Sequence, residues 1–513
     1  MNQVATSFGS FFFDNVFLTP TEIDAGVVVP GAEFSFELWH SFTDTKALTG
    51  VTESGAFGVA LSGITSGTLH SFTSIPYAVS LSQATGVIDY RASFDFGTGS
   101  AYSFSLTASM ALVMPERIDW STQPEMSIQY LTEVIESFDG TEQRIALRDT
   151  PRMSLSYLYS MTDEQQYQLD NKLATSSGSM LVPLWPLQCR LSNPVKPGDS
   201  KLYLEEISGH VASSEIILVA ESNEYEVLTV EAVDGPMVTL TSLAKTGFSR
   251  SAIVVPCRIA YPSDESNATS LLRGFDQHSI TFDVDETKIL KPAPVDDFER
   301  LNGRPIFPFR PDRSKDVTTQ YNRLRETLDP LIGARSIYDR AKGTVKIMGQ
   351  TFTFFSEAER QKFEDFAELM NGAQGEFYIE GPGQAFELSD DIYGPTYKFK
   401  IKQSGYINIA NSNSLAPLIA IKLYNGETVY RTIQQVTANP DGTETITTIE
   451  QTDSLNARDV ETIVPLYLAR FDSDDFRYIF DTSEVSTITK NIRQLLYADP
   501  AIDPESAIPV PSN

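Results

Sequence analysis

A chain of 513 residues is longer than one hydrophobic core organises, so three or four domains are expected, and 41% hydrophobic with 11% aromatic residues excludes wholesale disorder. A formal charge of −29 excludes adhesion to nucleic acid or to anionic membrane surfaces, although an acidic wall suits DNA that must slide past without sticking. Two cysteines, Cys189 and Cys257, exclude a disulfide framework and a cysteine-rich zinc site, and both are read as buried reduced thiols.

The N-terminal stretch MNQVATSFGSFFFDNVFL carries no basic residues ahead of its short apolar patch and is not read as a secretory signal. No apolar run reaches the roughly 20 residues needed to span a bilayer, so a product of the cytoplasm is expected. Residues 1–115 alternate with period two. Phe34, Phe36 and Leu38 oppose Ser35, Glu37 and Trp39, and Tyr102, Phe104 and Leu106 alternate likewise, which predicts an N-terminal β-sandwich. Residues 116–194 contain strand-like alternation around Asp139-Gly140 and then a helix start. There Thr162 caps and Gln165 completes a capping box, with Leu169 and Leu173 on one helical face and Gly178 beyond it. Prolines in the following SMLVPLWPLQ argue against a central strand.

Residues 195–262 read as a small all-β insertion with a turn at Asp234-Gly235. Residues 263–400 repeat the earlier order of strand, capped helix and strand more clearly. Ser356 and Glu359 form a capping box for a helix over 356–370, and Phe363, Phe366, Leu369 and Met370 form one apolar stripe. Asn371-Gly372 stops the helix and Gly375 turns the chain into GEFYIE. Residues 401–495 are β-rich, with a hairpin signal at Asn439-Pro440-Asp441-Gly442, and 496–513 form a Pro-rich tail. The fold class expected is therefore mainly β with a few α-helices, in several sandwich or barrel modules, two of them related.

Chemistry is sparse. His40, His70, His210 and His278 lack metal spacing, and no nucleotide, hydrolase or metalloprotease motif occurs. Asp472-Ser473-Asp474-Asp475 and Ser389-Asp390-Asp391 offer oxygen ligands but lack the Gly and distal Glu of a calcium loop, so they are read as solvated turns. Glu357 and Glu359 suit the positive end of the helix dipole, and Glu364, Asp365 and Glu368 are read as its solvent face rather than as glycosidase carboxylates. Asn267-Ala268-Thr269 matches a glycosylation triplet by chance, and Trp39 and Tyr77 are read as core or rim rather than sugar platforms. No catalytic, cofactor or metal residue is assigned.

The stretch FFSEAERQKFEDFAELMNGAQGEFYI resembles the helix-plus-sheet module of distal tail and minor tail proteins of long, non-contractile-tailed bacteriophages. Ser356, Phe363, Phe366, Gly375 and Phe377 carry the match, and Thr162, Leu169, Leu173 and Gly178 carry a weaker one. FSFELWHSF with LTGVTESGAFGVALSG, and LYLARFDSDDFRYIFDTSEVSTIT, look similar to further tail-tip segments. The resemblance implies a virion structural protein at the tail tip, assembled in the host cytoplasm. It implies a homo-oligomeric ring, a trimer in preference to a hexamer. Its partners are then the tail tube, hub and fibre proteins, with DNA passing through the lumen. A receptor- or carbohydrate-binding virion protein and a tail-associated glycan hydrolase are the alternatives.

Overall fold

The computed structural model describes Phe13 and residues 15–28, 32–56, 58–81, 86–97, 101–110, 112–137, 140–167, 169, 179–206, 209–212, 216–221, 224–241, 243–263, 266–272, 275–285, 294–381, 386–410 and 418–496. The protein is mainly β, with a few helices, in several domains. Two compact units divide it. One comprises Met1–Met126, Met153–Pro292 and Phe480–Glu484, the other Ser127–Arg152, Ala293–Ile479 and Val485–Asn513.

Unit 1 begins with the sandwich. One sheet runs Val16–Thr19, Glu33–His40, Ser74–Leu81, Val59–Ser62, and the other Glu22–Val28, Ala101–Met110, Gly86–Asp95, Gly50–Ser54. Alternation places Phe36 and Leu38 in the core while Glu37 stays exposed. Phe36 stacks on Phe104 with centroids 3.9 Å apart and meets Tyr77 and Phe94, so an aromatic cluster joins the aliphatic residues of this core.

A second architecture follows, and it occurs once in each unit. In unit 1 a long strand, Arg152–Thr162, enters a helix at 163. The return strand Met180–Pro183 pairs with the central strand Ile253–Pro262, which pairs with the closing strand Phe275–Val284, which pairs back with the long strand. In unit 2 the long strand Ser336–Phe354 enters the helix Glu357–Leu369. The return strand Phe377–Glu380 then pairs with Val460–Phe471, that strand with Ser486–Gln494, and the last with the long strand. The registers coincide. Ala260 faces both Met180 and Val284, and Ala469 faces both Phe377 and Gln494, with both alanines fully buried. A lead-in segment lies parallel to each return strand: the Met114 N–H donates to the Leu181 carbonyl (3.0 Å) and the Phe307 N–H to the Tyr378 carbonyl (2.8 Å).

The duplication extends into what lies between the return and central strands. In unit 1 pairing runs from Lys201–Tyr203 through Met237–Leu240, Glu224–Asp234 and Ile216–Glu221 to the central strand. In unit 2 it runs from Thr396–Ile401 through Glu444–Thr452, Thr428–Ala438 and Leu418–Leu423 to the central strand. Ile217 faces Pro256, and Ile419 faces Pro465. Each insertion closes its own apolar core, one around Leu202, Val219 and Val254, the other around Ile401, Ile421 and Ile446. The shared register exposes a sequence repeat, Val-Pro-x-x-x-Ala, at Val255–Ala260 and again at Val464–Ala469.

Three expectations are thereby revised. The second module is not contained in 263–400, while 116–194 is the first part of a module that resumes beyond the insertion. The central and closing strands return only after the insertion, so residues 253–284 complete the first module and 460–494 the second. The β-rich region 401–495 contains the second copy of the 195–262 insertion. Met180–Pro183 is flanked on both sides, so it is a central strand. Pro183 fits because the parallel lead-in pairs only Met180 and Leu181, which leaves no donor missing at the strand's end. The tail 496–513 lies outside the described residues, Leu496 apart.

Candidate functional site

The duplicated helix is fastened by local chemistry first. Ser356, at φ −146°, accepts a hydrogen bond from the Glu359 N–H (3.3 Å), and Glu359 accepts from the Phe355 N–H (3.0 Å). The two contacts satisfy donors that the first helical turn leaves open. Phe363 and Phe366 are fully buried among Phe307, Phe309, Phe352, Phe377 and Phe471, with Phe307 to Phe366 and Phe366 to Phe377 both at 5.3 Å. Burial of two such side chains stabilises the docked helix by about 1.5–3 kcal/mol each. Leu369 is only half-buried, and Ala367 and Met370 complete the stripe in its place, because the helix turns 100° per residue and i+6 has drifted off the face. A Cβ on Gly375 would stand 2.8 Å from the Met370 carbonyl oxygen, so the turn after the helix accepts only glycine without moving backbone.

The opposite helix face is not the solvated acidic surface expected. Arg360 is fully buried, 3.2 Å from Glu364 and 3.4 Å from Glu357, and Glu364 is itself 6% exposed. Asp365 is half-buried, and burial pushes its carboxyl above the usual range. Among these acids Glu359 is exposed, and Glu357 and Glu368 are partly exposed. This helix is therefore sandwiched, apolar on one side and ion-paired on the other. In the first copy the Thr162 N–H donates to the Gln165 side chain (3.0 Å), and Leu169 is fully buried. Leu173 and Gly178 lie outside the described residues.

Neither acidic turn is a vacant cation site. The turn Asp472-Ser473-Asp474-Asp475 surrounds a cation of the chain's own. Lys490, 1% exposed, donates from Nζ to the carbonyls of Ser473 (2.9 Å) and Asp475 (2.8 Å) and to the Ser473 hydroxyl (3.0 Å), and lies 3.7 Å from the Phe476 ring centre. Burial lowers its ammonium pKa to about 8, against the opposing attraction of Asp475, Asp474 and Asp472. Asp474 points elsewhere, accepting from the N–H groups of Thr132 (2.6 Å) and Ala373 (2.8 Å). Asp391 accepts from the Ala457 N–H (2.8 Å) and so caps a turn.

A second polar assembly clamps the hairpin 132–146, which belongs to unit 2. Arg470 grips Glu142 at 2.7 and 3.0 Å, and Arg493 reaches Glu142 (3.2 Å) and Glu136 (2.8 Å). Arg470 and Glu142 are nearly excluded from solvent, so removal of one partner strands a buried charge. Arg144, Arg300 and Arg304 line an open cavity of about 470 Å³, but Glu376 binds the first and third and Asp296 the second, which makes the cluster a clamp rather than an anion site.

Cys189 and Cys257 are free, buried thiols, and burial raises the Cys257 pKa well above the ordinary value. His40, His210 and His278 are buried apart from one another, and His70 is exposed. Asn267–Thr269 lies within the paired strand Asn267–Leu272. Tyr77 is core and donates to the Ile64 carbonyl (2.6 Å), while Trp39 stacks on Phe17 at 5.3 Å. Among the described residues no group of three or more His, Cys, Asp or Glu side chains is arranged to hold a metal ion, and no helix is long and apolar enough to cross a membrane.

No protein family matches the chain, and no curated protein does. Among solved structures it is similar to the secreted serine protease VesC from Vibrio cholerae at 10% identity and a TM-score of 0.15, over 50% of this chain and 44% of that one. It is also similar to Escherichia coli alpha-2-macroglobulin activated by porcine elastase (9%, TM-score 0.13, 94% and 50%). Salmonella alpha-2-macroglobulin reacted with methylamine gives 8%, 0.14, 94% and 39%. This chain thus spans about half of those structures or less, and scores at that level carry no argument on fold or activity. The residues that organise the site beyond the sequence reading are Arg360, Lys490, Arg470 and Arg493. The repeated Val-Pro-x-x-x-Ala marks the central strands in the sequence, but it becomes visible only once the two registers are aligned.

Proposed function

We propose that the protein is a structural, non-enzymatic component of a bacteriophage tail tip, a ring-building subunit that joins the tail tube to the hub and lets DNA pass. The observation that carries this reading is the duplication: two modules of one chain share strand order, pairing register, capped helix and insertion. Repetition of a whole framework, with buried ion pairs instead of an exposed acid–base pair, fits a role in shape. A chain holding two equivalent modules meets a six-fold tube while forming a three-fold ring, since three chains present six modules. The balance of −29 fits a lumen that repels the DNA backbone.

Electron cryo-microscopy of the purified protein and of intact virions tests the reading. A closed three-fold ring with pseudo-six-fold modules, located between tube and fibre, is the expected result. A protein found outside the tail, or present once per tail, ends the proposal.

A further inference from the structure

We propose that the arm formed by residues 318–345 docks on the first module of a second copy of this chain, where Arg335 faces Asp283 and Tyr261. The inference rests on the ring-building reading and supplies its interface. Both copies of the module carry an antiparallel hairpin after the lead-in segment, separate from the long strand in the first copy and continuous with it in the second. In the first copy it is Thr132–Glu136 with Glu142–Ala146, and in the second it is Thr318–Leu328 with the outer half of Ser336–Phe354. The two differ in what covers them. The first is clamped in unit 2 through Glu142, which meets Arg470 of the central strand and Arg493 of the closing strand. The second projects its apolar tip into solvent, with Leu331 92%, Ile332 99% and Ile337 60% exposed.

The duplicated register identifies the surface that corresponds to the clamp. Arg470 pairs with Arg493 across the central and closing strands of unit 2, and Tyr261 pairs with Asp283 at the same place in unit 1. Arg470 is 4% exposed beneath its hairpin, whereas Tyr261 is 41% exposed and Asp283 is open to solvent. The first module thus holds an uncovered version of the site that the second module has filled.

Charge is inverted on both sides. Residues 132–148 carry four acidic and two basic residues and meet two arginines, while the arm 318–345 carries five basic and three acidic residues and would meet Asp283. Glu142 opens the returning strand of the first hairpin, and Arg335 immediately precedes the returning strand of the second; its guanidinium, 70% exposed, is paired within the arm to Asp329 (2.7 Å), an exposed pair that costs little to exchange for Asp283 of the second copy. Opposite charges steer and register an interface even where they add little affinity, and Tyr261 offers an aromatic face for a guanidinium. Each chain supplies one arm and one acceptor, a head-to-tail arrangement that closes into a ring or runs on as a filament.

Sedimentation of the full chain tests this, with Arg335→Glu, Asp283→Arg and the double variant compared with wild type. Both positions are exposed, so each variant is expected to keep the wild-type circular dichroism spectrum. The wild type is expected to sediment as a closed oligomer. Each single reversal should weaken self-association by about tenfold or more, and the double variant should recover to within about threefold of wild type. Single variants that assemble like wild type, or a double variant no better than the singles, overturn the arm while the ring reading stands. A wild type that stays monomeric at about 100 μM overturns both.

Discussion

Lys490 is the residue where charge, burial and strand geometry converge most tightly. Its ammonium replaces the external cation that the Asp472–Asp475 turn suggested, and carbonyls rather than carboxylates hold it. The folded pKa of about 8 lies below the unfolded value near 10.5, so from pH 8 to 10.5 the unfolded chain binds more protons than the folded one. Stability from this group therefore rises with pH across that window and falls as pH drops back through 8. Lys490→Met removes the effect. Its destabilisation relative to wild type is expected to grow by about 1–3 kcal/mol between pH 7 and pH 10, read from denaturant midpoints. A gap that is independent of pH would show that the amine does not titrate there.

At the scale of the element, the helix Glu357–Leu369 shows which force dominates. Its Ser356 cap satisfies one donor, whereas Phe366 contacts Phe298, Phe307, Phe309, Phe377 and Phe471. Ser356→Ala is expected to cost about 1 kcal/mol and Phe366→Ala about 3–5 kcal/mol, since the surrounding rings cannot collapse into the space left. Chemical denaturation of both variants checks the ranking, and equal losses would mean that the helix depends on its cap more than on its packing. The cap was legible in the sequence because a cap is a contact three residues long. The burial of Arg360 and Glu364 was not, because a group that interacts electrostatically with both, Tyr478, comes from a distant position in the chain.

Across the whole molecule, two compact units that share one module plan are expected to unfold in two steps rather than one. Ala260 and Ala469 sit at the same register, each flanked by strands on both sides. Ala260→Leu and Ala469→Leu are each expected to cost about 1–3 kcal/mol through overpacking. Differential scanning calorimetry should show each substitution lowering a different transition. A single transition lowered by both would mean that the units melt as one.

By itself the sequence determined the class of the protein and its local grammar. Period-two alternation in 33–40, the capping box at Ser356, the turns at Gly140, Gly235 and Gly442 and the helix stop at Asn371-Gly372 are all set by residues within a few positions of each other. It also disclosed that the helix module occurs twice. Tertiary structure alone decided how far the duplication extends, because the return and central strands pair across a complete inserted domain in both copies. Backbone hydrogen bonds carry no side-chain signature at that separation, and only the small buried alanine and its Val-Pro neighbours mark the shared register. The same distance hid the partners of Lys490, Arg470 and Arg493. Burial makes those charges depend on strands that the linear chain keeps far apart.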